Sequence, residues 1–83
     1  MPMNKPISAY TDVAKRLEDS LDTIRALGGL LIENGSAKAA CDPAFPPQID
    51  CCGEEALLMS ITLLAAAAHR DFCQLATDLE IPQ

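Results

Sequence analysis

Eighty-three residues make one domain, and a chain this short buries only about 60–65 % of the surface its unfolded form exposes. Twelve acidic residues stand against six basic ones, for a net charge of −6. The cations (Lys5, Lys15, Arg16, Arg25, Lys38, Arg70) are scattered, which argues against direct binding of DNA, RNA or an anionic membrane through a basic patch.

Apolar residues reach 49 %, yet the aromatics are only Tyr10, Phe45 and Phe72, and Trp is absent. The apolar content is therefore largely Leu and Ala, both strong helix formers. So much aliphatic surface on so short a chain predicts an all-α protein that shares its core with a second copy. The expected fold is an antiparallel two-helix hairpin with a proline-rich connector, dimerising into a four-helix bundle.

Residues 1–10 carry two prolines and no periodicity, and read as a flexible arm ahead of one hairpin domain, residues 11–83. No apolar leader follows Met1, so a cytoplasmic location is expected. Helix 1 is expected over about 11–34, capped by Ser8 or Thr11, with Val13, Leu17, Leu21, Ile24, Leu27 and Leu31 forming one stripe at helical spacing. Gly28-Gly29 predicts a bend or a close approach of two backbones, since each Gly costs about 0.8–1 kcal/mol relative to Ala within a helix. Asn34-Gly35 reads as the C-terminal stop, although the alanine-rich Ser36–Cys41 stretch can extend the helix to 41.

Three prolines between Asp42 and Gln48 exclude regular helix, making 42–50 a stiff connector. Asp50 is the expected cap of helix 2, over about 51–79, with Glu54 and Glu55 in its first turn. The expected self-association core is Leu57, Ile61, Leu64, Ala68, Phe72 and Leu75, continuing to Leu79 in an eleven-residue repeat. Ala65–Ala68 are placed opposite Ile24 and Leu27, small against large. The apolar run Ala56–Ala68, broken by Ser60 and Thr62, is shorter than the ~18–20 residues of a membrane span, and reads as a buried helix. No membrane is expected as a partner.

Cys41, Cys51, Cys52 and Cys73 are the compositional oddity. Cys52 and Cys73 stand about 32 Å apart on one helix at ~1.5 Å per residue, too far to share a metal, although His69 and Cys73 lie one turn apart. Cys41, Cys51 and Cys52 flank the connector, where a disulfide or a redox switch is sterically open to them. A reducing interior favours structural thiols instead. No cofactor and no metal are expected.

No phosphate loop, HExxH, GxSxG or supported nucleophile–base pair occurs, so catalysis is not expected. The leading expectation is a regulator or inhibitor that acts by binding another protein. Candidate partner-binding residues are the apolar Phe45, Ile49 and Met59 and the polar Asp19, Asp22, Glu54, Glu55 and Arg70. Small acidic helical proteins include bacteriophage and mobile-element inhibitors of host machinery, anti-CRISPR proteins among them; the comparison is one of size, charge and helicity. Blocking a subunit interface with an apolar face is favoured over filling a nucleic-acid groove, because the acidic residues form no continuous row. Alternatives from other classes are a cysteine-based redox or metal-responsive switch and a purely structural oligomerisation module.

Overall fold

The computed structural model describes residues 6–82, which form two helices, α1 (Ile7–Ala40) and α2 (Cys51–Asp78). They pack as an all-α antiparallel hairpin with extents of 62 × 19 × 19 Å. Arg16 of α1 pairs with Asp71 of α2 toward the open end, and Lys38 pairs with Glu54 beside the connector.

α1 starts four residues earlier than expected and ends at Ala40, within the extension to 41 that the alanine-rich stretch allows. It starts at Ile7 behind Pro6, whose φ of −67° suits a helix entrance. Residues 7–10 are thus helical rather than part of an arm, and residues 1–5 lie outside the described ones. Neither Ser8 nor Thr11 caps the helix. Thr11 lies inside it, and its Oγ1 donates back to the Ile7 carbonyl at 3.2 Å. The helix also runs unbroken through Gly28-Gly29 and Asn34-Gly35, none of whose glycines has positive φ. It stops at Cys41, which takes the left-handed conformation (φ 52°) and sends its Sγ to the Lys38 carbonyl.

α2 begins where its cap requires. The Asp50 carboxylate accepts the Gly53 amide at 2.8 Å, and Glu54 sits in the first turn. Its C-terminus closes in a Schellman arrangement. Glu80 is left-handed (φ 57°), with its amide bonded to the Thr77 carbonyl, while the Ile81 amide reaches the Ala76 carbonyl at 2.7 Å. Ala76 is 1 % exposed.

The less exposed positions of α1 recur as Val13, Leu17, Ser20, Ile24, Leu27, Leu31 and Asn34, and those of α2 as Leu57, Ile61, Leu64, Ala68, Asp71 and Leu75. Alternating steps of three and four make each a seven-residue repeat, the pattern of a two-helix seam. Phe72, expected on this stripe, lies off it at 47 % exposure. Asp71 takes the seam position instead, because Arg16 grips both its carboxylate oxygens (Nε 3.3 Å, Nη2 3.1 Å). Counting along the seam from the Asn34–Glu54 and Arg16–Asp71 bonds sets Ile24 level with Leu64 and Ala68 level with Ser20. Ala65–Ala68 therefore lie about one turn away from the expected Ile24 and Leu27.

The core is thin. Among the described residues, Ala68 and Ala76 are the buried apolar ones, and no large side chain is fully buried. Although its uninterrupted apolar run is short, α2 is long and apolar enough over an 18-residue window (mean hydropathy 1.5) to cross a membrane by length and composition.

Both left-handed residues carry a Cβ that glycine lacks, at a cost of about 1–2 kcal/mol. Glu80→Gly is accordingly expected to raise unfolding stability by about 1 kcal/mol in urea titration. A drop in stability would show that the Glu80 side chain contributes more than its backbone costs.

Candidate functional site

The connector end of the hairpin brings together more sequence-marked residues than any other region. At its centre is Asn34, a charge-neutral side chain only 4 % exposed. Its Nδ2 donates to the Ile49 carbonyl (3.0 Å) and to Glu54 Oε2 (2.8 Å), and its Oδ1 accepts the Ile49 amide (3.0 Å). One amide side chain thus pairs with both backbone groups of one residue, Ile49, and ties them to the first turn of α2. The Ile49 side chain folds over Gly53, where an added Cβ would fall 2.7 Å from its Cγ2. Gly53 gives this corner its room.

Lys38 closes the same corner from outside, with Nζ 3.0 Å and 3.1 Å from the two Glu54 oxygens. The hydrogen bonds from Lys38 and then Asn34 hold the Glu54 carboxyl below its ordinary range, and the same pairing raises Lys38. Glu54 and Ile49 are therefore half-buried structural parts of the corner.

The connector itself is ordered by short-range bonds. Asp42 Oδ1 accepts the Ala44 amide (2.9 Å), its carbonyl accepts the Phe45 amide (3.0 Å), and Gln48 Nε2 donates to the Pro46 carbonyl (3.1 Å). This turn holds Phe45 out from the fold at 73 % exposure. Beside it a groove of about 390 Å³ runs between Leu30 and Ala37 of α1 and Pro46 and Ile49 of the connector.

The other marked residues scatter. Glu55 and Met59 are exposed on α2 within about two and a half turns of this end, while exposed Arg70 is about 22 Å of helix beyond Glu55. Asp19 and Asp22 lie on the exposed face of α1, paired with Lys15 (3.0 Å) and Arg25 (3.7 Å). Leu57, Ile61, Leu64, Ala68 and Leu75 face α1 within the hairpin. Cys41, Cys51 and Cys52 are free and exposed. Among the described residues, no three of His, Cys, Asp and Glu gather to hold a metal. Cys73 Sγ lies 3.6 Å from His69 Nε2 on the same helix.

Sequence reasoning missed Asn34 and Lys38. Asn34 was read as a helix stop. The available signal was its place three residues after Leu31 in the seven-residue repeat.

No family model matches the chain, and neither the curated proteins nor the solved structures contain a match to it.

Replacing Asn34 by Ala removes three bonds and leaves the half-buried Ile49 backbone N–H and C=O without their partner, so about 2 kcal/mol of stability should be lost in urea titration. Because Glu54 is depressed on folding, its contribution is present above its unfolded pKa and fades as pH falls through the folded one. Glu54→Gln should therefore lower stability at neutral pH and flatten the loss on acidification. An unchanged acid profile would remove Glu54 as a source of that dependence.

Proposed function

We propose that this chain is a small acidic regulator or inhibitor that acts by binding a larger protein through its connector end. The observation behind this is the pairing of an exposed aromatic with a rigid support. Phe45 sits 73 % exposed on a turn fixed by Asp42 and flanked by Pro43, Pro46 and Pro47.

An aromatic ring in water is a large apolar surface without a partner, and aromatic side chains are enriched in the buried centres of protein interfaces. A turn already held in shape loses little conformational freedom on docking, so more of the contact energy becomes affinity. The groove between α1 and the connector offers a complementary recess for a partner's side chain, and the exposed Glu55 and Met59 extend the surface along α2. Asp42, Asp50 and Glu55 make this end acidic, which suits a partner with basic residues around an apolar recess.

Immobilised full-length chain is expected to retain a specific protein from extracts of the cells in which it acts. Phe45→Ser should weaken that retention about tenfold or more, the effect of losing one hot-spot side chain, while leaving helicity unchanged. Retention unaffected by Phe45→Ser would place docking elsewhere, and no retention at all would remove the regulator reading.

A further inference from the structure

One flank of the hairpin carries no charge along its whole length. On α1 every seventh residue from Ile7 is apolar or glycine: Ile7, Ala14, Leu21, Gly28, Gly35. On α2 the same holds from Cys51: Leu58, Ala65, Phe72, Leu79. These positions each lie beside the seam, and in an antiparallel pair they fall on the same side. The opposite flank mixes small and polar residues (Ala9, Arg16, Thr23, Ala37; Ser60, Ala67, Gln74) with one large exposed apolar side chain, Leu30, whereas the uncharged flank exposes Ile7, Leu21, Leu58, Phe72 and Leu79. Apolar residues at the two seam positions and one flank are what a helix needs to face the core of a four-helix bundle.

We infer that this uncharged flank is covered by a second copy of the chain, related by a two-fold axis parallel to the hairpin, so that α1 of each protomer packs against α2 of the other. Size along the flank selects this arrangement. With the seam register given above, Ala14 lies within about two residues of the level of Phe72, Leu21 of Ala65, and Gly28 of Leu58. Under that axis the large residues of the three inner levels each meet a small one of the other protomer, while Ile7 falls beside Leu79 at the open end, and every neighbouring pair of helices is antiparallel. A two-fold axis across the hairpin would instead set Phe72 against Leu58 and Ala14 against Gly28, large on large and small on small.

Three further observations favour a second copy. An α-helical glycine costs about 0.8–1 kcal/mol relative to alanine, yet a Cβ at Gly28 or Gly35, as at the neighbouring Gly29 off the flank, would meet nothing within 4 Å in the hairpin. Close approach of a partner helix accounts for their absence of side chain. The flank runs the 62 Å length of the hairpin and exposes Ile7, Leu21, Leu58, Phe72 and Leu79 along it, a row long enough for an interface of roughly 800 Å² per partner. At the rim, the residues next outward come to Glu18 level with His69 and Arg25 level with Thr62, so no like charges meet. A lipid phase would give no reason for the alternation of large and small, nor for His69 and Arg70 on α2.

Sedimentation equilibrium of the full chain at micromolar concentration is expected to show a dimer. Leu58 and Leu63 are similarly exposed in the hairpin, at 56 % and 65 %, but only Leu58 is on the uncharged flank. Leu58→Glu should therefore shift the chain to monomer, with at least a hundredfold weaker association, while Leu63→Glu remains dimeric. Gly28→Leu should also dissociate it, and adding Leu58→Gly should restore pairing. If Leu58→Glu does not fold, the wild-type melting temperature decides, since a dimer must melt higher at higher concentration. A wild-type monomer, a melting temperature independent of concentration, dissociation by Leu63→Glu alone, or partition into neutral phosphatidylcholine vesicles in place of pairing would each overturn the assignment. The flank and the connector end are separate surfaces. A monomer that still shows Phe45-dependent capture would therefore overturn this assignment and leave the proposed function standing.

Discussion

The side-chain amide of Asn34 sets the alignment on which the rest of the hairpin depends. A helix pair without a fully buried large side chain has little packing detail to choose one register over another slid by a turn. A polar group on the seam makes that choice, because any slip leaves it dry and without partners. Asn34 is satisfied only where the Ile49 peptide and Glu54 arrive together. Arg16 and Asp71 repeat the constraint toward the far end, in the exposed setting where such pairs add little energy but still disfavour a mismatch.

Once the register is set, the hairpin still leaves much apolar surface open. Its seam residues are mostly half-buried, and Leu21, Leu58 and Phe72 on the adjoining flank are open to solvent. The burial available to one copy is well below what a domain of this length ordinarily achieves. The uncharged flank and the connector end answer different needs. The first is long and free of charge. The second is small, projecting and stiff, and its groove lies on the other side of α1, so pairing along the flank leaves it accessible.

Much of this was legible in the residues. Asp50 as a cap, the boundaries of α2, and Leu57, Ile61, Leu64, Ala68 and Leu75 as one stripe follow from local chemistry and period. Besides the start of α1 at Ile7 and its straight run through Gly28-Gly29, what failed was each place where a polar residue does an apolar residue's job. Asn-Gly carries the local signature of a helix end, and only the arrival of Ile49 and Glu54 from 15 and 20 residues away makes Asn34 an interior residue. Asp71 was passed over for Phe72 because a carboxylate on a seam needs a cation, and Arg16 lies 55 residues off. A search for unbroken hydrophobic period skips such positions and converts a seven-residue repeat into an eleven-residue one. The scattered partner-binding residues had no such period to join them, and only the folded corner separates Phe45, which projects, from Ile49 and Glu54, which are enclosed.

The closeness of the latch to the turn bears on how the chain reaches this state. Asn34 and Ile49 are separated by a short loop, so their meeting has a small closure entropy and can come first. Each later layer of the seam then adds next to one already formed, as in a zipper, and the ion pair with the largest sequence separation forms last. Such local assembly is fast. Speed matters for a newly made α2, whose hydropathy alone would let it be taken for a membrane segment: the helix best able to go astray is the one synthesised second, when its template is already complete.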